Sequence, residues 1–152
     1  MNIRKAMISD GPAIYSLISD HAERDRMLFR SLADIYENLQ TFVVAEDNDR
    51  VVGCCALQII WADLAEIKSL AVDDAFQGSG TGRMLVNAAV DYAQEMGVAK
   101  VFALTLVPGF FKKLNFDVVK KQDLPMKVWS DCAYCPKQQN CDEIAVIKKI
   151  KQ

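Results

Sequence analysis

The sequence predicts one α+β (mixed α/β) domain with a mostly antiparallel central sheet of about six to seven strands, flanked by helices. Three observations predict it. A short strand-like start precedes two helical segments, three β-rich runs then follow one another across short turns, and the remaining strands alternate with helices. Turn signals recur throughout, without repeats or a linker. We therefore expect residues 1–152 to form a single domain.

Helices are predicted from capping residues and apolar periodicity. The first opens at Ser9-Asp10-Gly11-Pro12, where a capping residue precedes a proline suited to the first helical turn. The second covers residues 31–39. In residues 82–96 apolar side chains recur at the spacing of one helix face, and Gly97 follows as a stop. A short helical turn is expected over residues 109–114, just after a proline.

The predicted strands are short, apolar segments that contain β-branched residues. Two of them flank Asp47-Asn48-Asp49-Arg50, a turn sequence typical of an antiparallel hairpin. An irregular segment with three cysteines separates the last two strands. The predicted strands are residues 2–5, 42–46, 51–60, 64–72, 101–106, 116–120 and 143–150.

Composition excludes several classes of protein. Lys and Arg number 18 against 20 Asp and Glu, and no basic block interrupts this near balance. Nucleic-acid binding is not expected, because neutralising phosphates requires clustered cations. No apolar run approaches the ~18 residues that span a bilayer, and the N-terminus lacks the apolar region of a signal peptide. We expect a soluble, cytoplasmic protein without a membrane partner.

A glycine-rich turn joins the strand at 64–72 to the helix at 82–96, with the sequence Gln77-Gly78-Ser79-Gly80-Thr81-Gly82-Arg83. At such a junction backbone N–H groups converge on the helix N-terminus, where the helix dipole favours an anion. The Rossmann motif would need glycine where Arg83 stands, and a P-loop would need Gly-Lys-Ser/Thr. The turn fits Gln-x-x-Gly-x-Gly and predicts a phosphate site. The alternative is a connection that only turns the chain.

Together with the preceding strand, Glu66-Ile67-Lys68-Ser69-Leu70-Ala71-Val72, this turn resembles the pyrophosphate-binding signature of the GNAT family of N-acetyltransferases. The element order matches over nearly the whole chain. The resemblance implies the acyl-CoA N-acyltransferase fold, acetyl-CoA as cosubstrate, and a strand that splays from its neighbour to pair with the pantetheine arm. The cofactor-binding residues that it implies are Leu70, Ala71, Val72, Gln77, Gly78, Ser79, Gly80, Thr81, Gly82, Arg83 and Phe111.

Acetyl transfer to an amine needs a base, because an ammonium group has no lone pair with which to attack a thioester. Glu66 has apolar neighbours in sequence, and desolvation favours the protonated form of a carboxylate. We therefore predict Glu66 as the base. Alternation along the strand places Lys68 on the same face, so a solvated Glu66–Lys68 pair is the alternative.

Within the family, the chain is similar to the acetyltransferase domain of N-acetylglutamate synthases. This likeness implies L-glutamate as acceptor, in arginine biosynthesis, with Arg30, Ser31 and Lys68 binding it. A guanidinium can hold a carboxylate bidentately. Arg30 could instead be a surface charge. The segments that carry the likeness are Met27-Leu28-Phe29-Arg30-Ser31, Leu64-Ala65-Glu66-Ile67, Phe102-Ala103-Leu104-Thr105 and Phe110-Phe111-Lys112-Lys113-Leu114-Asn115-Phe116.

One departure from the family concerns the acid that protonates the leaving thiolate. Many members place a tyrosine where this chain has Phe111, so Thr105 or water would have to serve. Other functions therefore stay open. The acceptor could be another small amine, an antibiotic or a protein N-terminus, and a non-catalytic acyl-CoA-binding or cysteine–metal regulatory module is a further alternative.

The remaining candidates are thiols and one imidazole. Cys54 and Cys55 lie in an apolar strand and are predicted to be buried. Cys132, Cys135 and Cys141 lack a fourth metal ligand, so we predict no metal there but retain them as metal, redox or structural candidates. His21 is expected to be structural, with substrate contact as the alternative. Edge strands of small sheets often pair across a two-fold axis, so a homodimer is one expected assembly.

Overall fold

One sheet of seven strands, in the order β1-β2-β3-β4-β5-β7-β6, runs through the computed structural model, which describes residues 1–124 and 143–150. The predicted element order and mostly antiparallel sheet are confirmed. The strands are β1 (Asn2–Lys5), β2 (Phe42–Asp47), β3 (Arg50–Trp61), β4 (Leu64–Val72), β5 (Lys100–Thr105), β6 (Asp117–Val119) and β7 (Ile144–Lys149). The helices are α1 (Gly11–Glu23), α2 (Leu32–Glu37), α3 (Thr81–Glu95) and α4 (Pro108–Lys112).

Local chemistry explains where these elements turn and stop. Asn48 and Asp49 adopt left-handed φ angles of 50° and 63°, as a tight two-residue hairpin turn between β2 and β3 requires. The predicted second helix is shorter than expected. It ends at Glu37, because Asn38 closes it by donating from Nδ2 to the Asp34 carbonyl at 2.9 Å. A 3-10 turn, Leu39–Thr41, leads into β2.

The helices cover the two faces of the sheet. On the face that we call the α1/α2 face, Ile14, Ile18 and Ile35 pack on apolar residues of β2, β3 and β4. On the opposite face, the α3 face, α3 packs on a larger cluster that includes Ala65 and Val101. A third cluster forms around Phe102, Leu64 and Leu124. Within the described residues, no helix has the length and apolarity to cross a bilayer.

Cys54 and Cys55 are buried, as predicted, and belong to the clusters on opposite faces. Desolvation raises the pKa of Cys54 to about 12 and that of Cys55 further. Since the thiolate is the reactive form, these thiols act as small apolar groups in the folded protein.

β4 and β5 are parallel neighbours that pair over three residues only, Leu64–Glu66 of β4 with Lys100–Phe102 of β5. β4 continues to Val72 and β5 to Thr105 without pairing to each other. Beyond Glu66 the facing edges of the two strands therefore leave an unpaired gap. We call this gap the fork.

β4 also contains a bulge. Cys54 pairs with Ala71 and Ala56 with Lys68, so Ser69 and Leu70 together lie opposite one residue of β3. Ser69 has a left-handed φ of 55°. A bulge of this kind redirects side chains. The bulge places the Ser69 side chain on the α1/α2 face, where the Lys68 side chain also lies.

An ion-pair network fixes the start of α1 to the sheet. Arg4 of β1 donates to both carboxylate oxygens of Asp10, at 2.7 and 3.0 Å, and to Glu46 of β2 at 2.9 Å. The Met7 N–H also donates to Asp10, at 2.7 Å. Hydrogen bonding to Arg4 lowers the pKa of Asp10 below its ordinary value, although burial opposes the shift.

Replacing this carboxylate should make stability depend on pH. Asp10→Asn should lower the free energy of unfolding by about 2 kcal/mol at neutral pH, because charge-assisted bonds are lost. Folding lowers the pKa of Asp10, so its contribution is present above the unfolded value and is lost as pH falls through the folded one. Urea unfolding should show the two proteins converging below about pH 4.

Asp91→Asn, on the exposed surface of α3, is the matched control and should change stability little at any pH. A deficit of Asp10→Asn that stayed constant from pH 7 to pH 2 would contradict an electrostatic role for Asp10.

Candidate active site

The glycine-rich turn leaves backbone amides open at the start of α3. Gly80 is the N-cap residue and has a left-handed φ of 89°, which suits glycine. The first N–H groups of a helix have no partner within it, and the helix dipole makes this end positive. The Arg83 guanidinium lies 3.4 Å from where a Cβ on Gly80 would be. These features of residues 77–83, the cradle, fit a pyrophosphate.

Three predicted cofactor residues use their side chains to hold the cradle in shape. Gln77 donates from Nε2 to the Val72 carbonyl at 3.0 Å. The Ser79 hydroxyl bonds the Phe76 carbonyl and lies 2.8 Å from the Thr81 hydroxyl. The sequence signature therefore encodes the turn's shape as well as its ligand. The groups of the cradle left available to a ligand are its main-chain amides and the Arg83 guanidinium.

The cradle meets the fork at Gly82. A Cβ on Gly82 would lie 3.3 Å from the Phe110 ring and 3.9 Å from Val72, so α4 and the end of β4 close tightly on this position. Phe111, predicted to contact the cofactor, is only 3% exposed and packs edge-on against Phe110 and Phe116. It offers almost no surface to a ligand. Phe110, which the sequence reasoning missed, is the aromatic residue beside the cradle.

The other predicted cofactor residues of β4 lie along the β4 side of the fork. Leu70 packs against the α3-face cluster, whereas Ala71 belongs to the α1/α2 face. Asp73 donates its N–H to the Val52 carbonyl at 2.8 Å, towards β3. Because successive residues of a strand direct their backbone groups to opposite edges, those of Val72 point to the edge facing the fork. This is the geometry that a ligand strand along β4 needs.

Glu66 lies where the fork opens. It is half-buried, and its neighbours across the sheet are Gln58 of β3 and Phe102 of β5. Its strand neighbours Ala65 and Ile67 belong to the α3-face cluster, so alternation places Glu66 and Lys68 on the α1/α2 side.

Thr105 follows the alternation of Val101 and therefore lies on the α3 side, opposite Glu66. It is buried, and its hydroxyl accepts the Val107 N–H at 2.9 Å. Glu66 and Thr105 could therefore act together only on atoms placed within the fork.

Arg30 is brought to the β4 bulge. It donates from Nε to Asp34 at 2.6 Å and from Nη1 to the Ser69 hydroxyl at 3.1 Å, and its guanidinium lies over the Phe42 ring. Only 12% of the side chain is exposed, so Arg30 is not a surface charge. Ser31, predicted beside it as a substrate ligand, accepts the Asp34 N–H as the N-cap of α2.

Asp34 is the second residue at this site that the sequence reasoning missed. Hydrogen bonding to Arg30 lowers the pKa of Asp34, burial opposes this, and the charges of Arg30 and Lys68 add to the lowering. Lys68 is therefore close enough for its charge to act on the same carboxylate. The spacing of Arg30 and Asp34, four residues apart, was a usable signal. No sequence signal indicated the role of Ser69, because the residues around it do not predict a bulge.

The cysteine candidates Cys132, Cys135 and Cys141 lie outside the described residues. Among residues 1–124 and 143–150, no three His, Cys, Asp or Glu side chains are grouped to hold a metal ion.

Known proteins are similar to this chain in sequence. Residues 8–116 match the sequence profile of the acetyltransferase (GNAT) family. An uncharacterized N-acetyltransferase of Chlorobaculum tepidum is 42% identical over 148 residues, 97% of this chain and 96% of that protein. An amino-acid acetyltransferase of Mycobacterium tuberculosis is 36% identical over 132 residues, 85% of this chain and 75% of that protein.

Solved structures share the fold of this chain. N-acetylglutamate synthase from Neisseria gonorrhoeae, complexed with coenzyme A and N-acetyl-glutamate, superposes with a TM-score of 0.91 at 26% identity. The match covers 99% of this chain and 35% of that one. A cradle of open amides, a forked sheet and a matching family profile thus agree. The chain belongs to the GNAT family of acetyltransferases, with acetyl-CoA as its acyl donor.

Proposed function

We propose that this acetyltransferase acts on the α-amine of an amino acid with two carboxylates, L-glutamate above all. The observation that carries the proposal is that Arg30 and Lys68 both act on Asp34, on the side of β4 where Glu66 lies. Two cations suit an acceptor with two carboxylates, and a carboxylate base suits its ammonium group.

Donor binding is assigned to the cradle and to the free edge of β4. The first-turn amides of α3, with Arg83, would hold the pyrophosphate, and Leu70–Val72 would hold the arm that leads into the fork. Bound acetyl-CoA supplies a thioester carbonyl that an amine can attack. β4 stops pairing with β5 at Glu66. A donor arm that lies along β4 would therefore bring this carbonyl next to Glu66, where it would meet the acceptor.

Glu66 is assigned the proton transfer. An amino acid in water is an ammonium ion and must lose a proton before it can attack. Glu66 is half-buried at the opening of the fork, so its carboxylate is close to the path of the donor. It would take that proton directly or through one water molecule.

Arg30 is assigned to acceptor recognition. Asp34 and Ser69 engage its Nε and Nη1, which fixes the plane of the guanidinium, and the remaining donors can bind a carboxylate. Fixing the group beforehand reduces the entropy lost when the acceptor binds. Asp34 acts here by orienting Arg30.

The named relatives support the same acceptor class. The Mycobacterium tuberculosis relative is an amino-acid acetyltransferase, and the Neisseria gonorrhoeae structure contains N-acetyl-glutamate with coenzyme A.

The donor assignment predicts that Gly80→Ala raises the Kd for CoA about tenfold. Alanine is strained at a φ of 89°, so the turn should rotate and misdirect its amides. Isothermal titration calorimetry measures this. Gly97→Ala is the matched control, since its φ of 83° imposes the same strain at the far end of α3. It should lower Tm without changing CoA affinity. Unchanged affinity in Gly80→Ala would contradict the cradle.

The base assignment predicts that Glu66→Gln lowers kcat by about a hundredfold to a thousandfold. The Kd for CoA should stay within about twofold, because the amide has nearly the same shape as the carboxylate. Release of the CoA thiol reports turnover. Asp63→Asn, which removes an exposed carboxylate just before β4, should retain activity. Full turnover in Glu66→Gln would remove Glu66 from the mechanism.

The acceptor assignment predicts a preference that one substitution abolishes. Across a panel of amino acids, the wild type should prefer glutamate to glutamine in kcat/KM. Arg30→Gln should cut the glutamate value about thirtyfold or more and the glutamine value far less, because a charge-assisted bond is lost. Arg50→Gln, an exposed arginine of the β2–β3 hairpin, should leave the ratio unchanged. If the wild type prefers a neutral amine, the assignment of glutamate as the acceptor is wrong.

A further inference from the structure

The carbonyl of Val72 receives two side-chain donors from different parts of the fold. Gln77 of the cradle donates from Nε2 at 3.0 Å, and His21 of α1 lies with its Nε2 at 2.9 Å. A carbonyl oxygen has two lone pairs, so these two groups can satisfy it fully. Val72 is the last residue of β4, and the chain runs from there into the cradle.

His21 is buried, and its ring is held in one orientation by its contacts. Its side chain is part of the apolar face of α1 that Ile14 and Ile18 form, and the residue is 6% exposed. A carbonyl can only accept, so Nε2 must carry a hydrogen and donate it to Val72. The other ring nitrogen, Nδ1, lies 3.5 Å from Arg26 Nη1.

A second bridge links the same helix end to the segment between Val72 and the cradle. Arg26 donates to Asp74 at 2.9 Å, and Arg24 also bonds Asp74. Asp74 begins the 3-10 turn Asp74–Phe76, which immediately precedes Gln77. His21 near the end of α1 and the two arginines just after it therefore hold the start of this connection, at Val72 and at Asp74.

The position of the held carbonyl matters because Val72 directs its backbone groups to the free edge of β4. With the carbonyl occupied by His21 and Gln77, the group of Val72 left to a ligand along this edge is the N–H. This carbonyl belongs to the peptide between Val72 and Asp73, whose N–H donates to the Val52 carbonyl at 2.8 Å. Rotation of this peptide would break that bond and tilt the chain that leads to the cradle.

We propose that His21 is a positioning residue for CoA: its Nε2–H bond to the Val72 carbonyl sets the orientation of the last β4 peptide and of the cradle that follows. The role depends on the acyl donor alone. It is independent of the proposal that glutamate is the acceptor.

The test compares two substitutions that differ in the hydrogen bond. His21→Leu removes the donor, whereas His21→Gln retains an amide Nε2 at a similar reach. We expect His21→Leu to raise the Kd for CoA about tenfold and His21→Gln to leave it within about twofold. At saturating acetyl-CoA, kcat of both should stay near the wild-type value, so the loss should fall on KM. Ile18→Val, one turn earlier on the buried face of α1, should lower Tm without changing the Kd.

Two results would overturn the proposal. One is a lower Tm for His21→Leu with an unchanged Kd, which would make His21 structural only. The other is an equal rise in Kd for both substitutions, which would implicate the ring's packing instead of its bond. If His21→Leu does not fold, His21→Asn replaces it, since its shorter amide cannot reach Val72. The same rise would then support the proposal, and an unchanged Kd would overturn it. The titrations contain no acceptor, so they do not depend on glutamate.

Discussion

The site depends on one constraint: β4 and β5 stop pairing after three residue pairs. An unpaired strand edge inside a domain leaves N–H and C=O groups that must find other partners. The sheet tolerates this because each strand has an antiparallel neighbour on its outer side, β3 for β4 and β7 for all of β5. The open edges are thus held apart by the rest of the sheet. A donor with amide groups along its arm can occupy the gap as a substitute strand.

The bulge complements the fork, because it allows β4 both to border the fork and to contact Arg30 through Ser69. A regular β4 would alternate strictly, and Ser69 would then face α3. The extra residue brings its hydroxyl to Arg30, which connects the strand to the loop before α2. A left-handed serine is strained, and such strain persists only where the surroundings enforce it. Here the β3 ladder on either side and the bond to Arg30 enforce it.

Local patterns in the sequence predicted the order of strands and helices, the hairpin at Asn48 and the glycine turn, because each depends on neighbouring residues. Spatial relations were not encoded locally. Nothing near Ile144 indicates that β7 inserts between β5 and β6, and nothing near Ser69 indicates a bulge. Similarly, whether Phe110 or Phe111 faces the cradle depends on how α4 is rotated on the sheet. The partner of His21 lies 51 positions away in the chain, beyond any local pattern.

The bulge gives β4 one residue more than the stretch of β3 that it faces, and this extra residue has an evolutionary consequence. If a single codon were lost at Ser69, β4 could pair with β3 as a regular ladder while Ala71 and Val72 kept their partners Cys54 and Gly53. The hydrophobic layers would be preserved, but the anchor of Arg30 would disappear. In this architecture the fold and the placement of Arg30 are therefore separable by a minimal deletion, and a duplicated gene could change the surroundings of Arg30 without passing through an unfolded intermediate.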